Sequence, residues 1–302
     1  MIRIKKPGGA VVPLVTPCRD DRGLDLEAVD RLVAHQLAGG VEGVLVLGTT
    51  GEGPSVPQAL RRPLVERTVA AAAGRLRVYS NVSGTCLDDA IATAGGDLAA
   101  GADAVAVLPP YYYPSRPGEL LGWFRALLDA IPGPVVIYNI PATTGVSIPL
   151  DVIGELVDHP RLAGIKDSEN DPERHAELLR RFGGRDDFSV FVGVGALMAQ
   201  GLRQGADGIV PSSGNLIPGE CQRQVEAARD EDWAAVDASA TRQAGVAAIY
   251  QKGRTLGQSL AALKGLAHHL GLVSPHMFPP LLPVPPDELA ALGDELERHD
   301  LR

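Results

Sequence analysis

Eight short runs rich in valine, isoleucine and leucine, separated by longer segments with helical spacing, are the feature that most limits how this chain can fold. Such alternation is typical of βα units on a parallel sheet. Between the runs, segment 26–37 carries apolar residues at helical spacing. Eight units predict a closed (β/α)8 TIM barrel. The predicted strands are 10–15, 43–48, 76–82, 103–108, 135–139, 162–166, 188–193 and 208–210.

The same sequence pattern leads into three of the predicted strands. Segments 37–44, 98–105 and 202–209 each contain a helix end, a glycine suited to a left-handed cap, an acidic turn residue and the start of a strand. A doubly wound open sheet is the competing architecture, and it usually has a glycine-rich phosphate loop after its first strand. Residues 15–19, Val-Thr-Pro-Cys-Arg, provide none, so the barrel is favoured.

About a quarter of the chain follows the eighth strand, which is more than one closing helix needs. Segments 226–250, 257–270 and 286–298 have helical patterns, and the proline-rich stretch 279–286 is expected to link the last two rigidly. We therefore expect a barrel catalytic domain over residues 1–225 and a C-terminal helical extension over 226–302, without a second domain core.

The composition disfavours several classes of function. The 302 residues carry a net charge of -9, which argues against nucleic acid and anionic membranes as partners and favours a small-molecule substrate. The three cysteines are far apart and only two of the seven histidines are adjacent, so neither a disulfide framework nor a metal site is predicted. Residues 1–9 have no apolar leader and no stretch has the length of a membrane span, which predicts a cytoplasmic enzyme.

Lysine is scarce in this chain, with five lysines among the 28 basic residues. Lys166 ends the sixth predicted strand, at the end of a barrel where catalytic groups gather. A lysine in such a place is commonly a solvated surface charge. If its side chain points into the barrel, its free amine is instead a nucleophile for a carbonyl carbon. The resulting imine is the electron sink needed to make or break a carbon–carbon bond beside a ketone.

Loops after other strands supply candidate partners for Lys166. Thr49 and Thr50 follow the second strand; their loop can present hydroxyl and amide groups to a carboxylate, or can simply be a turn with capping threonines. The stiff loop 109–114 carries three tyrosines suited to a rim, a lid or a subunit contact. Tyr138 lies near the end of the fifth strand. The loop after the eighth strand could hold a phosphate, which keeps a phosphosugar substrate open.

In this arrangement the motifs resemble the dihydrodipicolinate synthase and N-acetylneuraminate lyase family of class I aldolases. The similarity runs from about residue 9 to residue 283. It rests on segments that occur in family order, and it implies imine chemistry on a lysine without a separate cofactor. These segments are 48–52 (Gly-Thr-Thr-Gly-Glu), 110–112 (Pro-Tyr-Tyr), 138–141 (Tyr-Asn-Ile-Pro), 164–166 (Gly-Ile-Lys), 264–272 and 279–283.

The resemblance implies a role for each candidate residue. Lys166 would form the Schiff base with pyruvate, and Tyr138 would be the general acid and base. Thr49 and Thr50 would bind the carboxylate of the 2-oxo acid, with Thr50 passing protons to Tyr138. Tyr112 would enter the site of a neighbouring subunit, which implies a dimer and, as is common in the family, a homotetramer of two dimers. Two further positions would line the pyruvate pocket: Gly193 and Val210.

One departure from the family pattern bears on the substrate. The synthase branch has an arginine two residues after the proline of segment 138–141, where it binds the carboxylate of the aldehyde substrate; here that position is Thr143. A hydroxyl cannot replace that bidentate contact. The pocket for the aldehyde is expected to depend on the loops around Thr143, Ser168 and Ser213. Segments 53–55, 141–145 and 166–168 are more similar to aldolases that cleave 2-oxo-3-deoxy sugar acids or 4-hydroxy-2-oxoglutarate.

We therefore predict a Schiff-base aldolase that reversibly cleaves a 2-oxo-3-deoxy sugar acid or another 4-hydroxy-2-oxo acid to pyruvate and an aldehyde. Three alternatives stay open. They are a dihydrodipicolinate synthase that condenses pyruvate with aspartate semialdehyde for lysine biosynthesis, an imine-dependent dehydratase, and a sensor that binds a 2-oxo acid without turnover.

Overall fold

Eight parallel strands close into a barrel in the computed structural model, which describes residues 6–298. Each strand pairs with its neighbours in chain order and the eighth pairs with the first, so the predicted barrel is confirmed. Residues 1–5 of the predicted barrel domain and residues 299–302 of the predicted C-terminal extension lie outside the described residues. The strands are β1 (Gly9–Pro13), β2 (Gly43–Val46), β3 (Arg77–Val82), β4 (Ala104–Val107), β5 (Val135–Asn139), β6 (Leu162–Asp167), β7 (Ser189–Val192) and β8 (Gly208–Ile209).

Helices connect the strands and continue after the last one. The first helix starts where the Asp25 side chain accepts the N–H of Ala28 at 3.0 Å, which satisfies one of the free amide groups of its first turn. None of the helices within residues 6–298 combines the length and apolarity needed to cross a membrane. The helices are α1 (Leu26–Ala38), α2 (Gln58–Ala72), α3 (Leu87–Ala99), α4 (Pro117–Ala130), α5 (Pro141–Thr144), α6 (Leu150–Leu156), α7 (Pro172–Phe182), α8 (Met198–Arg203), α9 (Pro218–Arg229), α10 (Trp233–Gln251), α11 (Leu256–His269) and α12 (Pro286–Arg298).

The strand side chains alternate between the helices and the barrel interior. Outward-facing valines, leucines and isoleucines pack against the surrounding helices in two large clusters. The inward-facing side chains form a separate apolar cluster, called here the barrel floor: Val11, Leu45, Tyr79, Ala104, Ala106, Val136, Phe191 and Val210. Because this floor fills the barrel, polar chemistry is left to the carboxyl ends of the strands.

The C-terminal segment differs from the prediction in one place. Segment 226–250 is two helices, because α9 ends at Arg229 and α10 begins at Trp233. Between them Glu231 has a left-handed backbone (φ 57°), and the Asp232 side chain accepts the Ala235 N–H at 3.0 Å. The left-handed backbone of Glu231 prevents α9 from continuing. The Asp232 side chain caps α10, because it satisfies a free backbone N–H of the first turn. The expected domain boundary between residues 225 and 226 falls within α9.

The last three helices share their apolar core with the beginning of the chain. Side chains of α10, α11 and α12 form one cluster with Val15, which follows β1, and with Ala28 and Leu32 of α1. The C-terminal helices are thus packed on the barrel and not on one another alone.

A buried ion pair joins α11 to the loop after β2. The side chains of Lys264 and Glu52 have no exposed surface, and Lys264 Nζ donates to the Glu52 carboxylate and, at 2.9 Å, to the His276 carbonyl. The second carboxylate oxygen of Glu52 accepts the Phe278 N–H at 2.8 Å. Burial lowers the pKa of Lys264, and the Glu52 carboxylate opposes that fall. An isolated charge in this place would be costly, so each residue depends on the other.

We predict that Lys264→Met lowers the free energy of unfolding by about 3–5 kcal/mol, because it leaves the Glu52 carboxylate buried without its cation. Urea denaturation at neutral pH measures the change. The double variant Glu52→Gln/Lys264→Met removes both partners and should lose less stability than Lys264→Met. Lys252→Met, which removes an exposed lysine, is the matched control. Equal free energies of unfolding for Lys264→Met and Lys252→Met would show that the ion pair does not contribute to stability.

Candidate active site

Lys166 and Tyr138 face each other at the carboxyl ends of β6 and β5. The two strands pair in parallel with Tyr138 opposite Lys166. Both side chains are buried, and Lys166 Nζ lies 3.7 Å from the centroid of the Tyr138 ring. Lys166 also lines a small cavity above the barrel floor. The amine and the phenol are therefore close enough to act on one small molecule.

The surroundings of the Tyr138 phenol lower its pKa. Burial by itself raises the pKa, because it disfavours the phenolate. The positive charge of Lys166 and a hydrogen bond with it, together with hydrogen bonds to Thr49 and Ser168, outweigh burial and bring the pKa below its ordinary value. A lowered pKa increases the fraction of phenolate near neutral pH, and the phenolate is the form that accepts a proton.

The loop after β2 brings its two threonines to the site in different ways. The Thr49 hydroxyl oxygen is 3.3 Å from the Tyr138 phenol oxygen. Among the described residues, the threonine hydroxyl that contacts Tyr138 is thus that of Thr49, whereas the resemblance assigned the transfer of protons to Thr50. Within residues 6–298, the N–H groups of Thr49, Thr50 and Gly51 donate to no protein acceptor. Three adjacent free donors suit a carboxylate.

Close packing fixes the backbone of this loop. Leu47 and Glu52 both have left-handed backbones, with φ of 60° and 55°. A Cβ added to Gly53 would lie 1.7 Å from the Leu47 carbonyl oxygen, so only glycine fits there. The Thr16 hydroxyl donates to the Gly51 carbonyl at 2.6 Å. Together with the buried carboxylate of Glu52, these contacts preorganise the free amide donors.

Two lysines are buried near this end of the barrel, and their partners distinguish them. Lys264 is held by Glu52 and by a backbone carbonyl. Within the described residues, Lys166 makes no ion pair with a carboxylate, and its nearest described partner is the Tyr138 phenol. Lys264 is therefore structural, whereas the amine of Lys166 is available for chemistry.

The other predicted pocket residues lie around the amine at different depths. Val210 belongs to the barrel floor and is buried. Gly193 follows β7 against Ser168, where an added Cβ would lie 2.0 Å from the serine oxygen. Thr143 is exposed on α5, and its hydroxyl donates to the Ile140 carbonyl at 3.3 Å. Because α5 follows the carboxyl end of β5, Thr143 lies on the rim of the barrel.

Tyr112 is not part of the site within this single chain. It is 74% exposed, and its ring makes an edge contact with Tyr113, 5.0 Å between centroids. Tyr113 is equally exposed and Tyr111 is partly exposed. The structure thus presents three phenols on one loop without covering them.

A groove leads from the ends of β7 and β8 to α10. Small and uncharged side chains predominate in it, and Lys252 is the only charged residue among those that line it. Ser212, at its base, shares a hydrogen bond of 2.8 Å with the Tyr250 phenol. Ser213, predicted to shape the aldehyde pocket, is buried and donates to Gln243 at 3.3 Å.

One polar cluster behind the site was not predicted from the sequence. Asn139 and Asp167, which follow Tyr138 and Lys166, are buried on the outer side of the barrel. Arg174 of α7 donates to Asp167 at 3.0 Å. The only sequence signal was an amide and a carboxylate at adjacent strand ends, and nothing in the spacing pointed to Arg174 as their partner.

The sequence relatives agree with this geometry. The model of the Dihydrodipicolinate synthetase family matches residues 6–299. A 4-hydroxy-tetrahydrodipicolinate synthase of Xanthomonas campestris is 37% identical over 236 residues, which cover 78% of this chain and 77% of that protein. Its counterpart in Salinibacter ruber is 31% identical and covers 91% of this chain and 90% of its own length.

Solved structures give the same result. The dihydrodipicolinate synthase of Bacteroides thetaiotaomicron superposes with a TM-score of 0.92 at 32% identity, covering 97% of this chain and 99% of its own. YagE, a prophage protein of E. coli K12 solved with pyruvate, has a TM-score of 0.91 at 25% identity, with coverage of 98% and 99%. The buried lysine and tyrosine, the threonine loop and these similarities together establish that the chain belongs to the dihydrodipicolinate synthetase family of lyases, as its motifs predicted.

Proposed function

We propose that this protein is a class I aldolase that cleaves a 4-hydroxy-2-oxo acid reversibly to pyruvate and an aldehyde, with Lys166 as the Schiff-base lysine. The observation that carries the proposal is a buried amine that has no carboxylate partner within residues 6–298 and lies 3.7 Å from the ring of a tyrosine whose pKa is lowered. Such a pair supplies a nucleophile and a proton acceptor in one dry pocket. The reaction needs no cofactor besides the covalent imine.

The chemistry proceeds through bonds to C2, C3 and C4 of the substrate. Lys166 transfers a proton to the Tyr138 phenolate, and its neutral amine adds to the C2 carbonyl. Tyr138 returns the proton to the departing hydroxyl group, so that loss of water gives the protonated imine. Tyr138 removes the proton of the C4 hydroxyl, the C3–C4 bond breaks, and its electron pair moves to the imine nitrogen as an enamine. The aldehyde leaves; protonation of C3 and hydrolysis of the imine release pyruvate and restore the amine. Thr49 can pass the proton to and from Tyr138, because its hydroxyl lies 3.3 Å from the phenol.

The free amide groups of Thr49, Thr50 and Gly51 support the binding of the 2-oxo acid carboxylate. Their donors are held in place before substrate arrives, so little ordering cost is incurred on binding. The family relative YagE was solved with pyruvate, which supports the same small 2-oxo acid here.

The character of the rim supports an uncharged, hydroxylated aldehyde half. Thr143 offers a hydroxyl on the rim, and the groove towards α10 has Lys252 as its only charged lining residue. A carboxylate at the aldehyde end would find no guanidinium at position 143. We therefore favour 2-oxo-3-deoxy sugar acids or related 4-hydroxy-2-oxo acids as substrates.

A second candidate is 4-hydroxy-tetrahydrodipicolinate synthase. The observation that favours it is the name of relatives such as the 37% identical protein of Xanthomonas campestris. This reaction begins with the same imine but joins pyruvate to aspartate semialdehyde, so a different anchor for the carboxylate would be required. The cytoplasmic location expected from the sequence stays a prediction.

We further propose that the functional unit is a homodimer or a homotetramer built from two such dimers. Tyr112 is exposed to solvent and lies apart from Tyr138 within one chain. Exposed aromatic residues clustered on one stiff loop are suited to a subunit contact. A partner's copy of this loop would then bring its phenol to the proton relay of Thr49 and Tyr138.

Borohydride reduction in the presence of pyruvate tests the proposed function. We expect one reduced pyruvate adduct, and peptide mass mapping should locate it on Lys166. Lys166→Arg should form no adduct and have no turnover, because a guanidinium cannot form this imine. Lys264→Arg is unsuitable as a control because that residue is buried, so Lys6→Arg, at the lysine paired with Asp207, is the matched variant. An unmodified Lys166 in folded protein that binds pyruvate would refute the proposal.

Turnover of candidate substrates distinguishes the alternatives in the same preparation. Release of pyruvate from 2-oxo-3-deoxygluconate or 4-hydroxy-2-oxoglutarate supports the aldolase. Faster consumption of aspartate semialdehyde with pyruvate supports the synthase, and loss of water without pyruvate release supports the dehydratase. Adduct formation without turnover of any of these compounds supports the sensor.

The pKa of Tyr138 should depend on Lys166. In Lys166→Met the charge that offsets burial is gone, so the pKa should rise above the ordinary value of about 10. Ultraviolet difference titration, with Tyr138→Phe subtracted in each background, measures this value.

Tyr138→Phe should lower the turnover number by about 10²–10⁴-fold. The variant should also lose the increase in turnover number that the wild type shows as the pH rises. If this increase is unchanged in Tyr138→Phe, another group is the base.

Mixing two inactive variants tests the role of Tyr112 between subunits. Tyr112→Phe and Lys166→Met each lack one component, but a mixed dimer contains one site with Lys166 and a partner's Tyr112. After unfolding and refolding together, about half of randomly assorted dimers are mixed, so about a quarter of wild-type activity should return. Tyr113→Phe is the control and should remain active. No recovery in mixed dimers would contradict a shared site.

A further inference from the structure

A buried polar cluster lies on the outer side of β5 and β6, behind the catalytic pair. Asn139 is paired in register with Asp167, one residue beyond the pair Tyr138 and Lys166. Because side chains alternate along a strand, these two residues point away from the barrel interior. Neither has exposed surface, and Asn139 Nδ2 donates to Asp167 Oδ2 at 3.1 Å. The same amide donates to Glu169 Oε2 at 3.0 Å.

Arg174, in the first turn of α7, supplies the positive charge of this cluster. Its Nε lies 3.0 Å from Asp167 Oδ2 and 3.1 Å from Glu169 Oε2. The other oxygen of Asp167 accepts the Glu169 N–H at 2.9 Å and lies 3.6 Å from Nε2 of the buried His175. One guanidinium therefore serves two carboxylates, one of them without solvent exposure, and a lysine could not make this set of contacts.

The cluster also fixes a segment of backbone that returns to the barrel. The Ile148 N–H donates to Asn139 Oδ1 at 3.0 Å, and the Ile148 carbonyl accepts Arg174 Nη2 at 2.8 Å. The neighbouring Ser147 hydroxyl donates to Glu169 at 2.7 Å. Segment 140–148 leaves the end of β5, forms α5 and comes back to this point. Both of its ends are thus attached to the strand pair that carries Lys166 and Tyr138.

We propose that Arg174 and Asn139 are positioning residues that set segment 140–148 at the mouth of the barrel and thereby control binding of the aldehyde half of the substrate. Loops at the carboxyl ends of barrel strands form the substrate site, and this segment carries Thr143 on the rim. Within the described residues, no side chain of the cluster hydrogen-bonds to Lys166 Nζ or to the Thr49–Thr50 loop. Reaction of pyruvate with Lys166 should therefore be independent of the cluster. The proposal rests on the aldolase function given above.

Two measurements on Arg174→Gln test this proposal. Hydrogen–deuterium exchange should accelerate at least about tenfold in peptides covering residues 140–148, because both the Ile148 carbonyl and Glu169 lose their donor. In condensation with pyruvate, the KM for glyceraldehyde, glyoxylate or aspartate semialdehyde, whichever the wild type accepts best, should rise about tenfold or more. Borohydride trapping of pyruvate should stay within about twofold of wild type, since the imine pocket is unaltered. Arg174→Lys should restore the charge but not the contact with Ile148.

Matched variants separate positioning from a general loss of structure. Arg180→Gln removes an exposed arginine from the same helix and should change neither measurement. Should Arg174→Gln fail to fold, Ser147→Ala decides, because it removes one hydrogen bond of the segment at an exposed residue. Equal losses in pyruvate trapping and in acceptor KM, or unchanged exchange in segment 140–148, would overturn the proposal. If the wild type traps no pyruvate, the aldolase function fails, while the exchange result still decides whether Arg174 positions the segment.

Discussion

The parallel pairing of β5 with β6 is the interaction on which the rest of the site depends. This register places Tyr138 opposite Lys166 on the inner face and Asn139 opposite Asp167 on the outer face. A shift by one residue would exchange the two faces, placing the amine among the helices and a carboxylate above the barrel floor. The closed barrel makes such a shift costly, since every strand has two neighbours and no free edge along which to slide.

Buried charges lie at the carboxyl end of this barrel, and each has a partner on another structural element. Glu52 of the threonine loop depends on Lys264 of α11, and Asp167 beside the catalytic lysine depends on Arg174 of α7. Such pairs contribute little net stability compared with apolar packing, but losing one partner is severe. Their value here is geometric, because they fix the backbone of two loops at the carboxyl end of the barrel. Lys166 is the exception, since it has no carboxylate partner within residues 6–298.

Several parts of the fold and site could be predicted because they depend on local pattern. Strand and helix periodicity predicted the barrel, and the sequence placed Lys166 correctly near the carboxyl end of a strand. The break at Glu231 was missed because a helical pattern continues through it, and only the left-handed backbone reveals the end of α9. The choice between Thr49 and Thr50 could not be made either, since adjacent residues of a loop differ in direction but not in sequence signal. Scarcity of lysine pointed equally to Lys264 and Lys166.

The amino-acid sequence alone determined the order of strands and helices and the family, because those follow from periodicity and from motifs of adjacent residues. Tertiary structure decided which of two buried lysines is free, which threonine contacts Tyr138, and that Arg174 supports the segment carrying Thr143. These outcomes depend on contacts between residues far apart in the chain, such as Glu52 and Lys264, whose closeness is created by closing the barrel. The residues next to each partner in the sequence do not indicate which distant residue it will contact.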